Sequence, residues 1–170
     1  MAFRDLLSGT EIVTSKVSAI HGIYEQSNSV KHTPLVFENI IESEGQKAAV
    51  NILTRDRLCN LFEITPGELI DTLAWAMENP SEPHIIENDS APVMANKQEK
   101  VNLESLPIPW HYKEDRGRYQ SASVIIAQYG GIRNMSFHRQ FVRDSNHTVS
   151  RFVPRHLRTM TDKAQANGEE

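Results

Sequence analysis

Arginine, histidine and asparagine side chains are concentrated in one stretch of this sequence, residues 133–156. The planar guanidinium of arginine donates two parallel hydrogen bonds to a phosphate or carboxylate, so Arg139 and Arg151 are candidates to hold an anionic cofactor. An amide oxygen and an imidazole together suit a borderline metal ion such as manganese, and Asn134 and His156 are candidates for this role. The competing interpretation is a solvated basic edge strand, whose charges prevent aggregation.

The same stretch predicts two antiparallel strands joined by a short loop. Apolar residues recur at alternate positions, the period of a strand, at Met135, Phe137, Phe141, Val149 and Val153. Residues 143–147 between them form turns through their side chains. Asn134 and Arg139 are five positions apart and would face opposite sides of a straight strand. We therefore expect Asn134 to precede the regular strand, or a β-bulge to redirect its side chain.

Two motifs of this hairpin resemble the signature of the UbiD-like decarboxylases. They are IRNMSFHR at residues 132–139 and RFVPRHL at residues 151–157. The likeness extends over most of the chain and is greatest to the archaeal members that decarboxylate trans-anhydromevalonate 5-phosphate. It implies three cofactors, namely prenylated flavin mononucleotide (prenylated FMN), Mn²⁺ and a monovalent cation, K⁺.

The resemblance also implies roles for individual residues. Asn134 and His156 would be metal ligands, together with a glutamate that the family carries further downstream. Arg139 would be the catalytic residue, in an ionic network with two acids that also lie downstream in the family. The positions that line the flavin in the family correspond to Phe137, His138, Arg139, Arg151, Phe152, Val153 and Arg155.

The reaction that the resemblance implies is the non-oxidative decarboxylation of an α,β-unsaturated acid, in the archaeal mevalonate pathway of isoprenoid biosynthesis. The substrate would be a small unsaturated phosphocarboxylate, and a flavin prenyltransferase would supply the cofactor. The chain is expected to stop partway through the cofactor domain, to be inactive alone, and to form a homo-oligomer or bind a complementing C-terminal chain. The alternative is a non-catalytic cofactor-binding subunit or fragment whose partner carries the downstream acids.

Composition excludes several other classes of protein. A net charge of −4 argues against nucleic acid as the main partner, because neutralising phosphates requires a basic surface. The single cysteine, Cys59, rules out an internal disulfide, fits a reducing cytoplasm and is expected to be buried. No apolar run approaches the length of a membrane span. We therefore expect a cytoplasmic protein that binds neither nucleic acid nor membrane.

The predicted fold class is α+β, with an N-terminal α/β domain over residues 1–105 and the first strands of a split β-barrel that binds flavin over residues 106–170. Helices are predicted at residues 2–7, 19–26 and 55–62, from Pro66 onward, and at 157–166. Outside the hairpin, strands are predicted at residues 11–14, 34–39, 48–53, 84–86, 92–94 and 123–127.

Three of these predictions concern burial or charge. In the helix from Pro66, an apolar stripe is expected to pack against a sheet; it consists of Leu69, Leu73, Ala76 and Met77. Trp75 of the same helix is expected to be a core or interface residue rather than a cofactor platform. The strand at residues 123–127 is hydrophobic enough to be buried on both faces. The charged cluster of His111 and residues 113–116 is interpreted as a solvated turn rather than an acid–base site.

Overall fold

The computed structural model describes residues 3–169, which form two three-stranded sheets and four α-helices. In the first sheet the central strand pairs in parallel with one neighbour and antiparallel with the other; its strands are β1 (Glu11–Val13), β2 (Leu35–Phe37) and β3 (Ala48–Val50). The second sheet is entirely antiparallel, in the order β4 (Tyr119–Tyr129), β5 (Ile132–Val142) and β6 (Thr148–Ser150). The predicted α+β class is confirmed.

The α-helices are α1 (Gly22–Ser29), α2 (Arg55–Phe62), α3 (Leu69–Glu78) and α4 (His156–Ala166). Helices α2 and α4 match their predicted positions, whereas α1 and α3 begin three residues later than predicted. His21 has a φ of 65°, which is incompatible with a right-handed helix, so α1 begins only after it. Before α3, the backbone N–H of Glu68 donates to the carbonyl of Thr65 and closes a separate turn.

The remaining helical segments are short 3₁₀ helices at Phe3–Leu7, Asn88–Ser90, Pro92–Asn96 and Leu103–Ser105. The first replaces the helix predicted over residues 2–7, of which residue 2 lies outside the described residues.

The strands predicted at residues 84–86 and 92–94 are wrong. Pro83 and Pro92 have no N–H to donate to a ladder, and the fixed φ of Pro92 suits the first turn of a helix instead.

The main core lies on one side of the first sheet. Leu35 and Phe37 are two positions apart on β2, so their side chains share one face, and both are buried. Ile23 of α1 packs in the same cluster, whose other buried members are Val17, Ala19 and Ile40. Cys59 of α2 is also buried, as predicted.

The apolar stripe of α3 does not pack as expected. Leu69 is buried, but Leu73, Ala76 and Met77 are exposed, so that part of the prediction is wrong. Trp75 is 64% exposed, which contradicts a core position. Its role at an interface stays a prediction.

Strand β4 is longer and less buried than the sequence indicates. It covers 11 residues, and Val124 and Ile126 are exposed, so burial on both faces is wrong. The reason is that the α4 helix packs over the opposite face of the hairpin. In addition, β4 lies at the edge of its sheet. None of the described helices is long and apolar enough to cross a membrane.

Candidate cofactor and metal site

A tight hairpin of β4 and β5 forms the framework of the candidate site. Gly130 and Gly131 connect the strands with φ values of 58° and 78°, and two successive positive φ angles are what a two-residue hairpin loop requires. The ladder runs from the pair Tyr129–Ile132 at this turn to the pair Tyr119–Phe141 at the far end. Its register shifts once, between Gln120 and Ser123 of β4.

The position of Asn134 differs from the expected one. Asn134 lies within the regular part of β5, opposite Ala127, so it neither precedes the strand nor sits in a bulge. The irregularity adds one residue to β4, and therefore the alternation of side chains along β5 is undisturbed. As a result Asn134 and Arg139 face opposite sides of the sheet.

On one side, which we call the α4 face, three polar residues of β5 form a hydrogen-bonded row. The side-chain N–H of Asn134 donates to the Ser136 hydroxyl oxygen at 3.2 Å. The same oxygen lies 2.9 Å from Nε2 of His138. The His138 ring in turn meets the Phe152 ring edge-on, with centroids 5.2 Å apart. This face therefore combines Asn134, His138 and Phe152 of the predicted site.

A cavity of about 450 Å³ lies between the β4–β5 turn and α4. Both Asn134 and His156 line it, although they are far apart in the sequence. His156 is the first residue of α4, where backbone N–H groups lack partners within the helix. The fold thus brings the two predicted metal ligands to one cavity. Its other lining residues are Tyr129, Gly130, Ile132, Arg133, Thr159, Met160 and Lys163.

The donors at this cavity suit a metal ion in type but are few in number. Because the amide nitrogen of Asn134 bonds to Ser136, its carbonyl oxygen is left for a ligand, and the His156 imidazole adds a nitrogen donor. Neither an amide oxygen nor an imidazole nitrogen brings a negative charge to a metal. Within residues 3–169, no three His, Cys, Asp or Glu side chains come together as a metal site.

On the opposite side, which we call the arginine face, Arg139 makes two contacts with the segment before and at the start of β4. Its Nη2 donates to Asp115 Oδ1 at 3.1 Å, and its guanidinium carbon lies 3.9 Å from the centre of the Tyr119 ring. Phe137 lies on this face too and is 78% exposed. Arg139 is therefore oriented by an acid and an aromatic ring.

Asp115 is the residue that sequence reasoning missed. It was interpreted as part of a solvated turn, yet its side chain is only 23% exposed and pairs with Arg139. The pair joins residues 24 positions apart, so local spacing gave no signal. Gly117 is one hint, because a Cβ there would lie 3.1 Å from the Phe141 ring and the absence of a side chain lets this segment approach β5.

The remaining predicted flavin contacts lie in the connection between β6 and α4. Arg151, Val153 and Arg155 are exposed, and Phe152 is partly buried against His138. The other predicted site residues, together with Phe152, fall into two groups on opposite faces of the sheet. Asn134, His138, Phe152 and His156 lie on the α4 face, whereas Phe137 and Arg139 lie on the arginine face.

The loop between β5 and β6 is a structural turn. Asp144 Oδ1 accepts hydrogen bonds from His147 Nδ1 at 2.7 Å and from the backbone N–H groups of Asn146 and His147 at 3.1 and 2.9 Å. The bond from the His147 side chain is the main cause that lowers the pKa of Asp144 to about 2. These contacts confirm the turn predicted at residues 143–147.

Comparison with known proteins places this geometry in a family. One protein-family model matches residues 84–170, just over half of the chain. Its description is "UbiD: 3-octaprenyl-4-hydroxybenzoate carboxy-lyase Rift-related domain". The anhydromevalonate phosphate decarboxylase of Methanosarcina mazei is 30% identical over 86% of this chain and 34% of its own length. The enzyme of the same name from Methanothermobacter thermautotrophicus is 29% identical over 86% of this chain. The chain spans about a third of the length of these relatives.

Solved structures agree with this placement. The UbiD-class enzyme HmfF from Pelotomaculum thermopropionicum, in an evolved dimeric form in complex with prenylated FMN, superposes with a TM-score of 0.86 at 25% identity. The match covers 98% of this chain and 42% of that one. The 3,4-dihydroxybenzoic acid decarboxylase AroY of Klebsiella pneumoniae, at 18% identity and a TM-score of 0.82, shows the same fold. With the family model covering half of its residues, the chain belongs to the UbiD family.

Proposed function

We propose that this chain is the cofactor- and metal-binding part of a decarboxylase that uses prenylated FMN and acts on trans-anhydromevalonate 5-phosphate. The relatives named anhydromevalonate phosphate decarboxylase support the substrate, and the HmfF complex with prenylated FMN supports the cofactor. The observation that carries the proposal is the convergence of Asn134 and His156 on one cavity beside α4.

The metal would be held by the carbonyl oxygen of Asn134 and the imidazole of His156. Two neutral donors bring no charge to offset the dehydration of Mn²⁺, so the site needs anionic oxygens as well. The flavin phosphate would supply one set, next to the positive N-terminal end of α4. A carboxylate from outside the described residues would supply another. K⁺ belongs to the proposal as a second cation, without assigned ligands.

The flavin would contact residues on both faces of the hairpin. His138 and Phe152 offer rings on the α4 face, and Arg151, Val153 and Arg155 lie exposed beside them. Phe137 and Arg139 would contact cofactor or substrate from the arginine face. When bound, prenylated FMN supplies the electron sink for release of carbon dioxide. The guanidinium of Arg139 is a hydrogen-bond donor with no acceptor atom, which suits a role beside a carboxylate.

The binding proposal is tested by titration calorimetry with Mn²⁺ and FMN, separately and together. If the metal bridges protein and phosphate, each ligand should strengthen binding of the other by the same factor, because coupling between two sites is reciprocal. His156→Ala should abolish the coupling. His147→Ala is the control, since His147 lies beyond the far end of β5, about 25 Å from Asn134 at roughly 3.3 Å per strand residue. Independent binding, or equal effects of the two variants, would show that the site is assigned wrongly.

A second candidate is a non-catalytic subunit that needs a partner chain with further acids. The observation that favours it is the donor set at the cavity, where the described lining residues include no carboxylate. We expect no steady carbon dioxide release when the purified chain is mixed with prenylated FMN and trans-anhydromevalonate 5-phosphate. A complementing chain should restore turnover, and a flavin prenyltransferase in the cytoplasm would supply the cofactor. Steady turnover by this chain alone would rule the second candidate out.

A further inference from the structure

We propose that Ser136, backed by His138, is a positioning residue that turns the side-chain amide of Asn134 so that its carbonyl oxygen faces the cavity. The inference rests on the proposed function, in which that oxygen is a metal ligand. It adds a residue that does not itself contact the metal. The row Asn134–Ser136–His138 carries the argument.

The contact between Asn134 and Ser136 fixes which end of the amide faces the hydroxyl. The amide N–H of Asn134 donates to the Ser136 oxygen at 3.2 Å. The same oxygen lies 2.9 Å from Nε2 of His138, which accepts the Ser136 proton in one imidazole tautomer and donates to the oxygen in the other. In both cases the Ser136 oxygen keeps a lone pair for the Asn134 amide N–H. A flipped amide would instead have Ser136 donate to the carbonyl oxygen of Asn134 and would leave the amide N–H₂ facing the metal.

The neighbouring strand does not compete for these groups. Asn134 and Ser136 stand opposite Ala127 and Ile125 of β4, whose side chains form no hydrogen bonds. Ser123, opposite His138, donates instead to Gln120 Oε1 at 2.7 Å. The orientation of the Asn134 amide is thus decided along β5 itself.

His138 is held in place from its other side. The ring of Phe152 meets it edge-on at an interplanar angle of 71°, and this contact restricts rotation of the imidazole. A fixed imidazole at the end of the row holds the Ser136 hydroxyl in place next to the amide N–H of Asn134. The result is a carbonyl oxygen that is oriented before the metal binds.

Removing the Ser136 hydroxyl should weaken metal binding without removing a ligand. Partners that orient metal ligands typically contribute about ten- to a hundredfold to metal affinity. For Ser136→Ala we expect a loss of about tenfold in Mn²⁺ affinity, measured by the electron paramagnetic resonance signal of free Mn²⁺ at saturating FMN. Ser136→Thr keeps the hydroxyl and should restore most of the affinity. Ser123→Ala, on the same face of β4, should leave it unchanged.

A double-substitution cycle separates orientation from folding. In Asn134→Asp the two carboxylate oxygens are equivalent, so no orientation has to be selected. Ser136→Ala should therefore cost about tenfold with asparagine at position 134 and nothing with aspartate there. Equal losses in both backgrounds, or no loss with asparagine, would overturn the inference.

Alanine substitutions of the two proposed ligands distinguish this inference from the proposed site. If Asn134→Ala and His156→Ala abolish Mn²⁺ binding while Ser136→Ala does not weaken it, only the role of Ser136 is wrong. If neither ligand substitution changes Mn²⁺ binding, the metal site and this inference fall together.

Discussion

The guanidinium of Arg139 is held by two different interactions and still remains accessible. Tyr119 supports its flat face, and Asp115 accepts from one of its nitrogens. The side chain is 56% exposed, and an exposed ion pair contributes at most about 1 kcal/mol to stability. These contacts therefore orient Arg139 more than they stabilise the fold, which is consistent with a residue that awaits an anionic ligand.

The importance of the guanidinium shape can be tested with Arg139→Lys. Lysine keeps the charge but has neither the planar fork nor the stacking surface, so affinity for FMN should fall by about tenfold. Arg143→Lys is a matched control, because Arg143 is 57% exposed and pairs with Asp144 in the β5–β6 turn. FMN fluorescence titration gives both affinities. Equal affinities of the two variants would contradict a cofactor role for Arg139.

Asp144 makes the stability of the β5–β6 turn depend on pH. Its hydrogen bonds, first of all from His147, lower its pKa from 3.8 to about 2 in the folded chain. A lowered folded-state pKa contributes stability above pH 3.8, and this contribution is lost as the pH falls towards 2.

We therefore expect Asp144→Asn to lower the melting temperature at pH 6, with the difference from wild type shrinking towards pH 2. Asp162→Asn, which removes an exposed carboxylate of the Arg158 pair in α4, controls for the charge change. Calorimetry over this pH range is the measurement. A difference for Asp144→Asn that stays constant down to pH 2 would disprove the role of its carboxylate.

At the level of elements, the β4–β5 hairpin exposes an apolar surface on the arginine face. It consists of two cross-strand pairs, Val124 with Phe137 and Ile126 with Met135. Exposed fractions range from 48% for Val124 to 78% for Phe137. Strand β4 is also an unpaired edge whose residues 119–129 carry no charged side chain. Such edges and patches favour pairing with another chain.

We expect the chain to associate in solution through this surface. Ile126→Lys should reduce the associated fraction, because a charge on the sheet face opposes its burial. Ile12→Lys is the matched control on β1, where the isoleucine is 58% exposed compared with 65% for Ile126. Light scattering over a concentration series measures association. A wild-type chain that is monomeric throughout would contradict this expectation.

The elements that sequence predicted well are those whose signals are local. The end of α4 is an example, since Gly168 has a φ of 72° and the N–H of Glu169 bonds to the Ala164 carbonyl. The exposure of Trp75 and the edge position of β4 could not be read from sequence, because burial depends on which other segments cover a face. The same holds for the pairing of Asp115 with Arg139. The convergence of Asn134 and His156 was implied by the family motifs, not by spacing.

In the molecule as a whole, the two sheets are joined through the segment before β4. The backbone N–H of His21 donates to the Trp110 carbonyl at 2.9 Å, and the Trp110 N–H donates to the Ala19 carbonyl at 2.9 Å. The candidate site lies on the second sheet, on α4 and on the segments that lead into β4 and α4. All of its residues fall within residues 84–170, the part that the UbiD family model matches. The first sheet therefore supports the site without contributing to it.

The most direct test of the central claim is electron–nuclear double resonance on Mn²⁺ bound to the full chain with FMN and nitrogen-labelled histidine. This method detects phosphorus and histidine nitrogen nuclei next to the metal. If Mn²⁺ joins the cofactor phosphate to this cavity, we expect a phosphorus coupling and a histidine nitrogen coupling that disappears in His156→Ala but persists in His147→Ala. Bound Mn²⁺ without phosphorus coupling, or with a nitrogen coupling that survives in His156→Ala, would contradict the account.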